Sequence, residues 1–199
     1  MQAKSASRTF TEAARRAQIV DAAIETLAEL GYRRTTFTQI ARRAGLSSTG
    51  LISYHFAGKD ELIEQVVTRV YTEIQQFMAG RMQPGPDPAE TLRRYIGANI
   101  EFIGTHRIAM KALLEVFLNG GLHYDATAER TVMSPIEDIL RAGQATGQFR
   151  AFDTRVMATL IQRAIDGLPL LLDSHPDLDP DGYATEVMTV FDLATRSNG

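Results

Sequence analysis

The chain has 199 residues, of which 44% are apolar and 23% charged, and a formal net charge of −3. These proportions are ordinary for a globular protein, and the length allows one large domain or a small domain followed by a larger one. Cysteine is absent, which excludes a disulfide framework, a thiolate metal site and a cysteine nucleophile. No apolar run can span a bilayer, and the amino terminus has no apolar core for export. We therefore expect a cytoplasmic protein without a membrane partner.

Charge is distributed unevenly along the chain. Residues 1–60 contain nine Lys or Arg and five Asp or Glu, whereas residues 61–199 contain 12 bases and 19 acids. A basic amino-terminal segment on an acidic body indicates a polyanionic partner for that segment alone. The alternative from charge alone is a solvated surface of mixed charge, and the pattern of residues 36–56 favours the polyanion.

The first predicted helix begins at a capping box formed by Thr9 and Glu12, after a loose segment of residues 1–8. Its apolar stripe runs from Ile19 to Leu30, and Gly31 ends it.

Residues 36–56 predict two short helices joined by a tight turn. Thr36 and Gln39 form a second capping box, and Gly45 occupies the left-handed position at which a helix ends. Leu46 is expected to be buried between the helices, and Ser47, Ser48 and Thr49 offer hydroxyls to start the second helix. This pattern is a helix-turn-helix, because the apolar side chains of both helices fall on facing surfaces.

The outer face of the second short helix is polar and aromatic and contains no acid. Such a surface suits base edges and phosphates, and its glycine allows close approach of the backbone. Its residues are Thr49, Gly50, Leu51, Ser53, Tyr54 and His55.

The run from Gly31 to Leu62 resembles the DNA-binding domain of TetR-type transcriptional repressors. The matching residues are Gly31, Tyr32, Thr35, Thr36, Ile40, Ala41, Ala44, Gly45, Ser47, Gly50, Phe56, Lys59 and Leu62. The resemblance implies a homodimer that binds a near-palindromic double-stranded DNA operator in successive major grooves. Base and phosphate contacts are then expected from Ser47, Ser48, Thr49, Gly50, Leu51, Ser53, Tyr54 and His55. Further phosphate contacts are expected from Arg33, Thr36, Arg43 and Lys59.

The remainder of the chain predicts further helices. One runs from Lys59 to about Met82, and the Pro-rich stretch of residues 84–88 breaks the chain before the next. Residues 107–118 are apolar on most sides, which predicts a helix buried in the body. At Ser134 and Pro135 we expect either a kink in one helix or a new helix start. Two more helices are expected over about 154–173 and 180–195.

The larger part of the chain is expected to bind a small, largely apolar effector. Ligand cavities are mostly apolar with a few placed polar groups. The candidate residues are Phe77, Tyr95, Asn99, Phe102, His106, Met110, Phe117 and Met133. For Asn99 and His106, the alternative is a hydrogen-bonded residue of the core or the domain edge.

The last two predicted helices are more apolar than one packed face requires. Pairing with the same helices of a second subunit would bury the surplus in a four-helix bundle. A two-fold dimer would also place two recognition helices one DNA turn (~34 Å) apart. The alternative is a core within a single chain.

No catalytic or nucleotide-binding motif is present, and the four histidines lack metal-ligand spacing. The alternating Asp177, Asp179 and Asp181 lack the glycine and glutamate of a calcium loop, so a solvated helix start is expected. We therefore predict neither an enzyme nor a cofactor or metal site.

Together these patterns predict an all-α protein of about nine helices. Residues 1–58 form a three-helix DNA-binding domain, and residues 59–199 form a larger ligand-binding and dimerisation domain. The expected function is that of a ligand-responsive repressor released from its operator by the effector. The alternatives are a helical module that binds DNA or protein without a ligand response, and an enzyme with an appended helix-turn-helix.

Overall fold

The computed structural model describes residues 2–82, 85, 87–119 and 126–197, with the backbone alone for residues 2–10 and 126–131. Over these residues the chain forms nine α-helices and one 3-10 turn, and its only β-type pairing is an isolated bridge between Phe149 and Arg196. The predicted all-α fold is thus confirmed. The helices are α1 (Gln2–Leu30), α2 (Phe37–Arg43), α3 (Gly50–His55), α4 (Lys59–Arg81), α5 (Pro88–Thr105), α6 (Arg107–Leu118), α7 (Ala126–Ala145), α8 (Thr154–Ser174) and α9 (Pro180–Thr195), and the 3-10 turn is Tyr32–Arg34.

Helix α1 is longer than the sequence predicts. It begins at Gln2 rather than at the Thr9 capping box, so the expected loose segment is helical over residues 2–8. Between Gln2 and Leu30 the chain contains neither Gly nor Pro, and Ala, Lys, Gln and Arg among its first residues all favour helix. The Thr9–Glu12 pattern therefore lies inside α1, because the helix propensity of the residues before it extends the helix towards the amino terminus.

Aspartate side chains begin three of the later helices. Asp87 Oδ1 accepts hydrogen bonds from the backbone N–H groups of Ala89 (2.9 Å) and Glu90 (3.3 Å). Asp153 and Asp179 cap α8 and α9 in the same manner. The acidic run of residues 177–181 is therefore a helix start, and the described residues contain no cluster of side chains suited to a metal ion.

Helix α7 passes through Pro135 without a break, which selects the single helix over a new helix start. It extends to Ala145, beyond Gly143. A Cβ atom on Gly143 would overlap the Phe149 ring, so this glycine allows Phe149 to pack against the helix and be buried. None of the helices in the described part of the chain is long and apolar enough to cross a membrane.

The chain divides into two compact units. The first comprises Met1–Thr72 and Ile108–Leu122, and the second comprises Glu73–Arg107 and His123–Gly199. In the second unit α5 packs against α7, α8 and α9. Its buried core includes Leu92, Ile96, Ile100, Ile136, Leu140, Ile161 and Leu168. The predicted domain boundary between residues 58 and 59 stays a prediction.

Helix α6 departs from the prediction of a helix buried in the body. It belongs to the first unit and buries only Ala109, Ala112 and Val116. Ile108 and Leu118 are 59% and 62% exposed. The reason is that its small residues form one narrow buried stripe, and a helix rich in apolar residues is not thereby surrounded on every side.

Candidate nucleic-acid interface

Helix α2 begins and ends as the sequence predicts. Thr36 is its N-cap, and the Thr36 hydroxyl accepts a hydrogen bond from the Gln39 N–H at 3.3 Å. Gly45 has a φ of 64°, and the Leu46 N–H donates to the Ala41 carbonyl at 2.9 Å. This pairing closes the helix end in a Schellman motif and fixes the direction in which the chain turns.

The two short helices share a small apolar core. Ile40, Ile52 and Phe56 are at most 1% exposed, and Ala41 and Ala44 are also buried. Leu46, predicted to be buried, is only half-buried. The small alanines leave room for close packing between the helices. Ile52 and Phe56 therefore complete this core, and Leu46 in the turn contributes less to it.

The start of α3 differs from the prediction. Thr49 is the N-cap, but its side chain makes no capping hydrogen bond, and its φ and ψ are −67° and −19°. An N-cap side chain reaches back to the helix from extended backbone, whereas Thr49 is already helical. The hydroxyl of Thr49 therefore does not start α3 as expected.

The predicted recognition residues lie on one exposed surface of α3. Tyr54 is 69% exposed and Leu51 is 37% exposed, and Thr49, Gly50 and Ser53 are exposed beside them. The Tyr54 and His55 rings meet edge to face with centroids 5.0 Å apart. His55 is half-buried, so it lies at the margin of this surface. Ser47 and Ser48 are exposed in the preceding turn.

Arg16 on α1 holds the carboxyl end of α3, a role that sequence reasoning missed. Its guanidinium donates to the His55 carbonyl and to Glu61 Oε1 (3.3 Å), and lies 4.3 Å from the centre of the Phe56 ring. Glu61 Oε2 in turn accepts from the Ala57 N–H at 2.6 Å. That backbone bond, aided by Arg16, lowers the pKa of Glu61. Residues far apart in sequence thus fix the end of α3 and the start of α4.

Lys59, a predicted phosphate contact, is engaged within the first unit. Its Nζ donates to the Tyr32 carbonyl at 2.8 Å and lies 4.2 Å from the centre of the Tyr32 ring. Burial lowers the pKa of Lys59. Tyr32 has a second partner, because its N–H donates to Glu115 Oε2 of α6 at 2.9 Å. The turn after α1 is therefore bonded to both α4 and α6.

The remaining predicted phosphate contacts differ in their surroundings. Arg43 is paired with Glu25 (3.2 Å) and with Glu29, both on α1. Arg33 is exposed in the turn before α2, and Thr36 is exposed at the start of that helix. In this structure Arg43 thus has two internal acidic partners.

The predicted ligand-binding residues belong to both units of the chain. Phe77, Phe102 and His106 form one aromatic cluster, in which the Phe102 and His106 rings stack with centroids 4.1 Å apart. The Asn99 side chain donates to the Tyr95 carbonyl at 2.8 Å, and His106 Nδ1 lies 3.2 Å from the Phe102 carbonyl. Both predicted polar groups therefore have partners within their own helix region.

The other ligand candidates, Met133, Met110 and Phe117, are divided between the two units. Met133 is buried on α7 in the second unit. Met110 and Phe117 belong to α6 in the first unit, where Met110 is half-buried and Phe117 is 48% exposed. Their assignment to an effector site stays a prediction.

Comparison with known proteins adds to this geometry. Residues 19–66 match the family described as bacterial regulatory proteins, tetR family. The HTH-type transcriptional regulator BetI of Klebsiella pneumoniae (strain 342) is 34% identical over 102 residues, which cover 50% of this chain and 52% of BetI. The chain thus spans about half the length of the curated relatives it matches.

Solved structures extend the likeness of the fold to both units. A regulatory protein of the tetR family from Rhodococcus RHA1 has a TM-score of 0.80 and 20% identity, over 93% of this chain and 98% of that one. A Saccharomonospora viridis protein solved in complex with choline has a TM-score of 0.77 and 24% identity, over 92% and 98%. At these identities the structures establish the shared fold alone.

The packed helix-turn-helix and its exposed α3 surface form an arrangement suited to the major groove of DNA. Over residues 19–66 the chain is similar to the tetR family of bacterial regulatory proteins. The predicted resemblance to this family is confirmed over residues 19–66, and the matched relatives are transcriptional regulators.

Proposed function

We propose that the protein is a homodimeric repressor that binds a near-palindromic operator and is released by a small effector, acting in the cytoplasm. The exposed, acid-free surface of α3 is the observation that carries the proposal. A surface of hydroxyls, an aromatic ring and a glycine offers hydrogen bonds and close approach without repelling phosphates.

Exposed apolar side chains on α8 and α9 support the dimer. On α8, Val156 and Leu160 are 57% and 54% exposed, and Leu170 is 54% exposed. On α9, Val190 and Leu193 are 56% and 57% exposed. Burying each large apolar side chain contributes about 1.5–3 kcal/mol. A bundle of these two helices with their symmetry mates would cover all five residues and present two α3 helices to one DNA duplex.

The effector binds the larger domain and favours the state that cannot bind DNA. A ligand shifts this equilibrium only through different affinities for the two states. Helix α4 transmits the change to the DNA-binding residues. At its start, Lys59 bonds to Tyr32 in the turn after α1, and Glu61 bonds to Arg16 and to Ala57, which follows α3. Choline is the first compound to test, because it is bound in one protein of the same fold.

The test is footprinting of the DNA upstream of the protein's own coding region at two salt concentrations, with and without choline. Protection of an inverted repeat supports the dimeric regulator, and affinity that falls steeply with salt supports phosphate contacts. Binding without sequence preference would favour an architectural DNA-binding module. An operator affinity that no ligand changes would remove the effector from the proposal and leave a plain DNA-binding protein.

A further inference from the structure

Gln162 of α8 is a buried amide whose side-chain oxygen has no hydrogen-bond partner among the described residues. The residue is only 8% exposed, and its Nε2 donates to Asp166 Oδ1 at 2.7 Å. Its Oε1 accepts no hydrogen bond from the described residues. Rotating the amide by half a turn would bring Oε1 against the Asp166 carboxylate, so this bond fixes the orientation. A buried carbonyl oxygen without a donor is unfavourable and calls for an explanation.

The partner of Gln162 is a carboxylate that lies partly within the protein. Asp166 Oδ2 is 3.4 Å from Arg163 Nη1, and burial raises the pKa of Asp166. The Asp166 side chain remains 43% exposed. Of the two bonded side chains, the Asp166 carboxylate is accessible to solvent, whereas the Gln162 amide oxygen is buried.

Helix α5 adds an aromatic ring and a second amide to this region. Burial, together with the negative charge of Asp166, raises the pKa of Tyr95 to about 12. On α5 the Asn99 side chain donates to the Tyr95 carbonyl at 2.8 Å. Arg163 is the one cation paired with Asp166 among the described ion pairs.

We propose that Gln162 Oε1 and the Asp166 carboxylate bind the donor-bearing, cationic end of the effector, a protonated amine on a largely apolar body. An ammonium group has three N–H donors and a positive charge, so it can donate to both oxygens at once. This inference rests on the proposed ligand response and names its chemical class. Gln162 and Asp166 thereby gain a ligand-binding role that the sequence did not indicate.

The test uses calorimetry on the full-length protein without DNA. The probes are hexylammonium, hexanol and hexanoate, which share one apolar chain and differ in the end group. We expect hexylammonium to bind most tightly and hexanoate least. Gln162→Leu should weaken hexylammonium binding about tenfold, as for the loss of one hydrogen bond to a charged group. Asp166→Asn should weaken it at least as much and reduce the preference for hexylammonium over hexanol.

Matched measurements separate a lost contact from a lost fold. Gln162→Leu removes both an unpaired buried oxygen and the bond to Asp166, whose carboxylate keeps Arg163 and solvent as partners, so the unfolding temperature should change little. Asp177→Asn, an exposed acid in the loop between α8 and α9, should leave hexylammonium affinity unchanged. Equal binding of the three probes, failure of hexylammonium to bind, or unchanged binding in Gln162→Leu would overturn the inference.

A parallel operator titration distinguishes this inference from the proposed function. Release of DNA by hexanoate or hexanol but not by hexylammonium supports an effector response and contradicts the cationic site. Binding of hexylammonium that depends on Gln162, with no change in operator affinity, supports the site and contradicts the proposed release.

Discussion

The two functional regions of this protein use their polar side chains in opposite ways. On α3 the candidate residues point to the exterior of a short, well-packed helix, and Tyr54 is 69% exposed. In the second unit the candidate polar residues Asn99 and His106 are half-buried and bond to nearby backbone. The proposed DNA recognition therefore rests on the exposure of one helix, whereas the proposed effector recognition rests on a buried group that keeps an unused acceptor.

The largest effect is expected from breaking the proposed dimer. Leu160→Glu would place a charge and its symmetry mate in an apolar interface, so we expect a monomer in analytical ultracentrifugation. Losing simultaneous engagement of two half-sites should lower operator affinity by more than about a hundredfold. Gln75→Glu, a charge added at an exposed position of α4, is the control. A Leu160→Glu variant that remains dimeric would show that the exposed apolar residues of α8 serve another purpose.

The next effect concerns the turn on which the α3 surface depends. Gly45 has a φ of 64° and no atom near its absent Cβ, so Gly45→Ala adds backbone strain without a clash. We expect the free energy of unfolding to fall by about 1–2 kcal/mol in denaturant titration. Gly58 has equal space and no left-handed φ, so Gly58→Ala should not destabilise. Equal effects of the two substitutions would mean that the Gly45 conformation is not required.

Substituting Arg16 tests whether its bonds from α1 hold the α3 surface in position. Arg16→Ala removes the bonds to the His55 carbonyl and Glu61, and we expect operator affinity to fall about tenfold. Because Arg16 acts within the protein, the slope of log affinity against log salt should stay unchanged, whereas losing a phosphate contact at Arg33 should reduce it by about one. Arg15→Ala, at the neighbouring residue bonded to Gln18, is the control. A reduced slope in Arg16→Ala would instead make Arg16 a direct phosphate contact.

The smallest effect is a dependence of stability on pH. Because the bonds to Ala57 and Arg16 lower the pKa of Glu61 in the folded protein, the unfolded chain takes up the proton first. The contribution of Glu61 is therefore complete above its ordinary pKa and is lost as the pH falls towards the lowered value. Glu61→Gln should reduce this acid-dependent loss in thermal unfolding, and Glu64→Gln on the same helix should not. Identical pH profiles for both variants would exclude the Glu61 contribution.

Local chemistry explains which features the sequence could predict. Asp87, Asp153 and Asp179 begin helices through bonds to residues two or three positions away, and Gly45 ends α2 through its own conformation. Arg16 and Glu61, in contrast, are 45 residues apart, and Tyr32 and Glu115 are 83 apart. No local pattern encodes such pairs, because folding alone brings the partners together. The burial of α6 was wrongly predicted for the same reason, since hydrophobicity does not say which side of a helix finds a neighbour.

The most direct test of the central proposal compares wild type and Tyr54→Ala on the operator and on a scrambled duplex, each at two salt concentrations. The exposed Tyr54 side chain contributes little to packing, so the variant should unfold like the wild type. If the α3 surface recognises DNA sequence, Tyr54→Ala lowers affinity for the operator more than for the scrambled duplex. An unchanged ratio of the two affinities at both salt concentrations would contradict that role.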